Sequence, residues 1–279
     1  MLKSLQKAFK VKEVRDRLLY TFMMLVVIRI GCCLPIPGVD PSYLHDFFSN
    51  LQSSGMGFFN AITGGSFSSM SIFALSITPY ITSSIIMQLL TIAIPKLEEM
   101  QKDGEDGRKK IAEYTRYLTV GLALFESCAM AVGLGGKGLL LEDHRNIWGY
   151  LTVVAAMTAG SALLMWIGER ITDNGVGNGI SIVLLINIVS GTPQDMMTLY
   201  ERFMAGRSVA VATVSGIIVL AIIVAIVVFV LVLNDAERRI PVQYSKKMQG
   251  RRMIGGQSTY IPLKVNTANV IPVIFASSI

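Results

Sequence analysis

The way 25 Lys and Arg residues are sorted around a series of apolar runs constrains this chain more than any other feature. The runs are Leu18 to Leu34, Ile72 to Ile94, Tyr117 to Leu134, Ile147 to Ile167, Ile180 to Val189, Val209 to Leu233, and a last one opening near Ala268. About 20 apolar residues cross the roughly 30 Å of hydrocarbon in a bilayer. Ile72 to Ile94 and Val209 to Leu233 reach that length without a single charge. With the N-terminus inside, parity assigns every loop. The inside then holds six positives before Leu18, six from Pro95 to Arg116, Arg170 in the next turn, and seven from Asn234 to Thr267. The outside holds four, Lys137, Arg145, Arg202 and Arg207, and Arg29 lies within the first run. That asymmetry satisfies the positive-inside rule. The expected fold is an all-α, polytopic transmembrane bundle, N-terminus in, with about six full helices and the start of a seventh.

A hydrophobic content of 52% would also suit a greasy soluble enzyme, but soluble cores need no runs of this length. The net charge of +6 is therefore a topology signal before it is evidence for nucleic-acid binding. The basic stretch Lys3 to Arg17 reads as a helix lying on the inner surface, so residues 1–17 form a cytoplasmic N-terminal segment. No Ala-x-Ala site follows the first run, and no cleavable signal peptide is expected. Cys32, Cys33 and Cys128 offer neither a disulfide framework nor metal spacing and read as packed thiols. His45 and His144 stand in outside loops without ligand partners. No Gly-x-x-x-x-Gly-Lys-Ser/Thr loop occurs, so neither metal nor cofactor is expected and any vectorial work draws its energy from elsewhere.

Only Val209 to Leu233 has the composition of a plain anchor. Ile72 to Ile94 carries Ser76, Thr78, Pro79, Tyr80, Thr82, Ser83, Ser84 and Gln88, and small hydroxyl residues in a membrane helix face another helix or water. Glu126 sits mid-run, where a carboxylate costs several kcal/mol unless protonated, paired or hydrated. It reads either as a neutral glutamate between helices or as part of a hydrated path. Arg29, five residues from the end of its run, is expected to snorkel outward. Gly175 to Gly179 before Ile180 reads either as a helix broken around a substrate site or as a tight inside turn. The outside segment from Pro35 to Ser71 has no Lys or Arg but is rich in Phe, Ser and Gly. It is expected to fold back into the protein and bury Phe58, Phe59, Ile62, Phe67 and Met70, or else to lie on the surface.

Several of these stretches are specific. Pro35-Ile36-Pro37-Gly38, Ile72-Phe73-Ala74-Leu75, Pro79-Tyr80-Ile81, Gly175 to Ser181, Gln257-Ser258-Thr259, Pro262 to Asn266 and Val270 to Ser278 together resemble the SecY/Sec61-alpha family. Its bacterial members are the channel subunit of the Sec protein translocase. The resemblance implies ten helices in two inverted halves closing like a clamshell around a pore. On that plan residues 18–190 are the first half, with a plug at about 56–70. Residues 191–279 begin the second, with the sixth helix, a basic loop at 234–267 and the opening of the seventh.

The resemblance further implies a pore ring of Ile77, Ile81, Ile180, Leu184 and Ile274, and a lateral gate including Thr82, Ser83, Gln88 and Glu126. It implies a docking surface at Arg238, Arg239, Lys246, Lys247, Arg251 and Arg252, with Arg108, Lys109 and Lys110 as a second candidate. The implied partners are SecE, SecG, the SecA motor ATPase, the ribosome, signal sequences, nascent polypeptides and membrane lipids, in a bacterial plasma membrane. The ring also has its own physics. Ile77 and Ile81 share a helix face, as do Ile180 and Leu184, and a collar of branched aliphatics can dewet and block ions while yielding to an extended polypeptide. The expected function is a passive protein-conducting channel and not an enzyme. The alternative, a secondary transporter of a small solute, would need polar ligands converging near Glu126 or the glycine-broken helix.

Overall fold

The computed structural model describes residues 11–39, 63–135, 140–141, 145–242, 247–249, 252–254 and 259–267. Its helices are α1 (Lys12–Cys33), α2 (Thr78–Ala93), α3 (Pro95–Lys102), α4 (Glu105–Leu134), α5 (Ile147–Asn174), α6 (Gly179–Phe203) and α7 (Val209–Asp235). Four strands follow: β1 (Glu237–Val242), β2 (Lys247–Gln249), β3 (Arg252–Ile254) and β4 (Thr259–Lys264). The chain divides into two compact units, Met1–Gln194 and Asp195–Ile279.

Six of the helices match the expected runs, and three of them, α5, α6 and α7, are long and apolar enough to cross a membrane as single helices. The pair α2 and α3 passes the same test but bends by 102°. Pro95 forces the bend: it pushes Ile94 into extended backbone, φ −111° and ψ 113°, which ends α2 and starts α3 in a new direction. Residues 12–17 are not a separate surface helix but the first turns of α1. The seventh run, from Ala268, lies outside the described residues.

In the first unit, α1, α2, α4 and α5 pack around two apolar clusters. One gathers Ile36, Val39, Phe67, Met70, Leu75, Val153 and Met157. The other gathers Ile28 and Cys32 from α1, Phe73 and Ile77, Leu164, Ile167 and Ile171 from α5, and Val183 from α6. Glycines set the closest approaches. A β-carbon on Gly160 of α5 would lie 2.0 Å from the Ile72 carbonyl oxygen, and one on Gly31 would lie 2.1 Å from the Phe73 ring.

Two expectations need correction here. Ile72 to Ile94 is not one helix: residues 72–77 run in turns, and α2 begins only at Thr78. Met70 and Ser76 take φ of +41° and +54°, outside any helix, and Pro79 then sits in the first turn of α2, where its missing N–H costs nothing. The run from Ile180 also does not stop at Val189, since α6 continues through Pro193 to Phe203.

In the second unit, the stretch expected as loop after α7 is a β-ribbon. β1 pairs antiparallel with β4 from Glu237↔Lys264 to Val242↔Thr259, and β2 pairs with β3 inside it. Pro241 and Pro262 are tolerated because each strand of a two-stranded ribbon is an edge.

Candidate pore and re-entrant segment

The backbone before α2 is stitched to the backbone after α1. Ile36 N–H donates to Met70 O at 3.0 Å, and Ile72 N–H donates to Leu34 O at 3.0 Å. Pro35 and Ser71 pair as an isolated antiparallel bridge. Residues 63–77 therefore double back into the first unit, with Thr63, Ser66, Phe67, Met70, Phe73 and Ile77 all buried. Phe67 and Met70 fill the first apolar cluster, so this half of the segment folds inward as expected. Phe58, Phe59 and Ile62 lie outside the described residues.

The left-handed backbone at Met70 and Ser76 costs about 1–3 kcal/mol per residue, and such residues persist only where surrounding contacts fix them. At Ser76 those contacts are two buried hydrogen bonds. Asn187 Nδ2 on α6 donates to Ser76 Oγ at 2.9 Å, and Ser161 Oγ on α5 donates to Ser76 O at 3.1 Å. Arg29 reaches across to α6. Its Nη1 donates to Ser190 Oγ at 2.8 Å, and that hydroxyl donates to Asn187 O at 2.6 Å. Sequence reading missed Asn187, Ser161 and Ser190 as a group. An asparagine inside an apolar run was the available signal, because a membrane interior leaves an amide to find its partner on another helix.

Four of the five residues expected in the ring come together. Ile77 is 1% exposed in the second cluster, and Ile81, Ile180 and Leu184 are half-buried against it. Ile77 and Ile180 converge over Gly168 of α5, where a β-carbon would sit 3.5 Å from Ile77 Cδ1 and from Ile180 Cγ1. Ile274 lies outside the described residues. Of the gate candidates, Ser83 is buried and donates to Pro79 O at 2.7 Å, Thr82 and Glu126 are half-buried, and Gln88 is exposed. The hydroxyl oxygens of Thr78 and Thr82, four residues apart on α2, are buried and have no hydrogen-bond partner in the described structure.

The glycines before α6 form a tight turn between α5 and α6. Val176 N–H donates to Thr21 Oγ1 at 3.2 Å, Arg17 Nη1 to Gly175 O at 3.5 Å, and Gly179 N–H to Thr172 Oγ1 at 2.9 Å. Asn178 Oδ1 accepts from the N–H groups of Ile180 and Ser181, capping α6. A β-carbon on Gly179 would lie 1.9 Å from Gly168 O, so the turn packs directly on α5.

Arg116 Nε of α4 donates to Glu169 Oε1 of α5 at 2.8 Å, which holds the guanidinium above its ordinary pKa range. Arg108, Lys109 and Lys110 are exposed at the start of α4. On the ribbon, Arg238 and Arg239 are exposed on β1, and Arg239 lies 4.7 Å from the Tyr260 ring centroid of β4. Lys247 starts β2 and Arg252 starts β3, while Lys246 and Arg251 lie outside the described residues. Cys33 is exposed, contrary to the expectation of three packed thiols, while Cys32 is buried and Cys128 half-buried.

The SecY family model matches residues 71–279. Over its whole length the chain is 46% identical to the protein translocase subunit SecY of Streptomyces scabiei, covering 65% of that protein. Over 96% of its length it is 43% identical to the same subunit of Escherichia coli strain K12, covering 60% of that relative. The chain thus spans less than two thirds of the length of these relatives. Two solved structures share the fold. One concerns the SecY plug domain and the closed translocation channel, with a TM-score of 0.54 and 19% identity over 95% of this chain and 55% of that one. The other is Sec61 in the canine ribosome–channel complex, with a TM-score of 0.51 and 21% identity over 95% of this chain and 56% of that one. By the family model and by these relatives, the chain belongs to the SecY family.

Proposed function

We propose that this chain forms the first part of a protein-conducting channel, which passes unfolded secretory polypeptides across a membrane and releases membrane segments sideways into lipid. The observation that carries this reading is the convergence of Ile77, Ile81, Ile180 and Leu184 in one apolar cluster, with Ile77 at the end of the segment that doubles back into the first unit. An aliphatic constriction under a folded-back stopper seals against ions without binding any solute. The solute-transporter alternative loses one of its two supports, because the glycine turn before α6 spends its polar groups on α1, α5 and its own cap.

On this reading, Ile274 completes the ring and residues 56–70 are the plug. The α2 face bearing Thr82 and Ser83, with Gln88 and Glu126, belongs to the lateral gate. The buried, unpartnered hydroxyls of Thr78 and Thr82 support it, since such groups call for a partner from beyond α2. The basic ribbon, with Arg238 and Arg239 exposed on β1 and Lys246, Lys247, Arg251 and Arg252 further along the chain, serves as the docking surface for the ribosome and SecA, seconded by Arg108, Lys109 and Lys110. SecE and SecG are the remaining subunits, the membrane is the bacterial inner membrane with the N-terminus cytoplasmic, and the chain catalyses no reaction of its own.

The test is photocrosslinking to a stalled secretory nascent chain, from probes at Ile81 and at Ile222 in the full-length protein. Ile222 on α7 is 54% exposed. Crosslinks from Ile81 and none from Ile222 are expected. Crosslinks from neither, in a complex shown to be assembled, would end the channel reading.

A further inference from the structure

The hydrogen bonds beneath the re-entrant segment are not used by the ring, the gate or the docking surface. Asn187, 1% exposed, touches both ends of that segment. Its side chain donates to Ser76 Oγ, while a β-carbon on Gly64, at φ +65°, would lie 2.6 Å from its carbonyl oxygen. The same carbonyl oxygen accepts from Ser190 Oγ, which is itself fixed by Arg29. Ser161 holds Ser76 from the opposite side, through the backbone carbonyl.

This fastening is under load. Ser76 stands at φ +54°, where a residue with a β-carbon stays only while its neighbours fix it. Asn187 Oδ1 is buried and accepts no hydrogen bond in the described structure, so the amide gives its donor to Ser76 and leaves its acceptor unfed. The strained Ser76 and the half-satisfied amide are two local penalties set against the apolar burial and the backbone hydrogen bonds that hold the segment.

We propose that Asn187, together with Ser161, forms a clasp on Ser76 that keeps residues 64–76 seated, and that its release lets this segment leave the apolar cluster. What the release permits rests on the channel reading. The clasp itself does not.

The native thiols report the seating. Cys32 is 6% exposed in the cluster that holds Phe73 and Ile77, whereas Cys33 beside it is already exposed and Cys128 lies on α4. The experiment labels the full-length protein in membrane vesicles with N-ethylmaleimide and follows each cysteine by fragment-ion mass, which separates the adjacent Cys32 and Cys33. In Asn187→Ala, Cys32 is expected to label about tenfold faster, the effect of one buried hydrogen bond lost with its partner stranded, while Cys33 and Cys128 keep their rates. Ser76→Gly removes the hydroxyl but relieves the left-handed strain, so it is expected to fall between wild type and Ser76→Ala.

Unchanged Cys32 labelling overturns the clasp, as does a parallel rise at Cys128, which would mean general loosening. The reverse order of the two Ser76 variants also overturns it. If Asn187→Ala does not assemble, the two Ser76 variants decide alone. Ion leakage through the same vesicles separates the two readings. Faster Cys32 labelling upholds the clasp with or without leakage, leakage beside it upholds the channel as well, and where the vesicles stay tight the aliphatic ring accounts for the seal and the crosslinks from Ile81 decide the channel reading.

Discussion

Helices α5 and α7 have almost the same length, 28 and 27 residues, and each carries one adjacent pair of Ser and Gly. In α5 the pair is Gly160-Ser161, and in α7 it is Ser215-Gly216. Yet α5 buries nine side chains or glycines, from Val153 to Ile171, and α7 buries none. The glycine of α5 lies against the Ile72 backbone, and its serine bonds to Ser76. The glycine of α7 meets only the flexible end of Met204, and its serine bonds to Phe203 O and to Ala212 O in its own helix. Hydropathy marks both as membrane helices. Only what lies opposite the small residues separates an interior helix from an anchor, because lipid gives apolar side chains no reason to prefer one neighbour over another.

The sharpest way to break this comparison is to give both glycines a side chain. In Gly160→Ala the new methyl would sit 2.0 Å from a backbone oxygen that cannot move aside. Overpacking of that kind costs about 3 kcal/mol, and thermal inactivation of the purified protein is expected to show a large fall in Tm. Gly216→Ala meets Met204 Cε at 3.0 Å, which a rotamer change relieves. Its effect should stay within about 0.5 kcal/mol, the ordinary range for exposed positions. Equal losses in the two variants would erase the distinction.

Next in size is a polar side chain placed on each surface. Ile81→Asn puts an amide into the cluster with Ile77 and Leu184, at about 1–3 kcal/mol against the closed arrangement. It is expected to let defective signal sequences through, as measured by export of a reporter. Ile222→Asn on α7 should leave that stringency unchanged. Loss of stringency from Ile222→Asn, or its retention in Ile81→Asn, would count against the ring assignment. A smaller effect separates the serines. Ser161→Ala strands the Ser76 carbonyl and should lower stability by about 0.6–1.7 kcal/mol, the range of hydrogen bonds between membrane helices. Ser215→Ala, with alternatives in its own helix, should lower it by less than half of that in the same assay.

Much of this was legible in the chain itself, and what was not has identifiable causes. The apolar runs and the four-residue spacing of Ile77 with Ile81 and of Ile180 with Leu184 are local properties, and the structure builds helices on six of those runs and brings the four residues together. The late start of α2 is not local. Nothing in Ile72-Phe73-Ala74-Leu75-Ser76-Ile77 forbids a helix, and the left-handed turn at Ser76 comes from partners 85 and 111 residues away. The reach of α6 past Val189 was hidden because Ser190-Gly191-Thr192-Pro193 reads as a terminator. In the structure Pro193 lies inside the helix, which continues although the proline removes one backbone donor and its ring crowds the carbonyl four residues earlier. The β-ribbon carried a signal in Tyr260 and Ile261 opposite Pro241 and Ile240, but one proline in each strand argued against it. The polar residues of the candidate gate were visible one by one. Which helix each one faces depended on contacts that no spacing encodes.

The smallest expected effect lies between α4 and α5, where the comparison extends from burial to charge. Arg116 and Glu169 make a well-formed ion pair at 2.8 Å, but their side chains are 49% and 24% exposed. Solvent screens such a pair, and exposed ion pairs contribute about 0.2–1 kcal/mol. A double-mutant cycle of Arg116→Gln and Glu169→Gln, read by Tm, is expected to give a coupling in that range, shrinking as salt is raised. If packing against Ile72 and the bonds to Ser76 are what seat α5, breaking its most conspicuous ionic contact must matter less than adding one methyl to Gly160. A coupling several times larger, and insensitive to salt, would mean that charge rather than small-residue packing distinguishes α5 from α7.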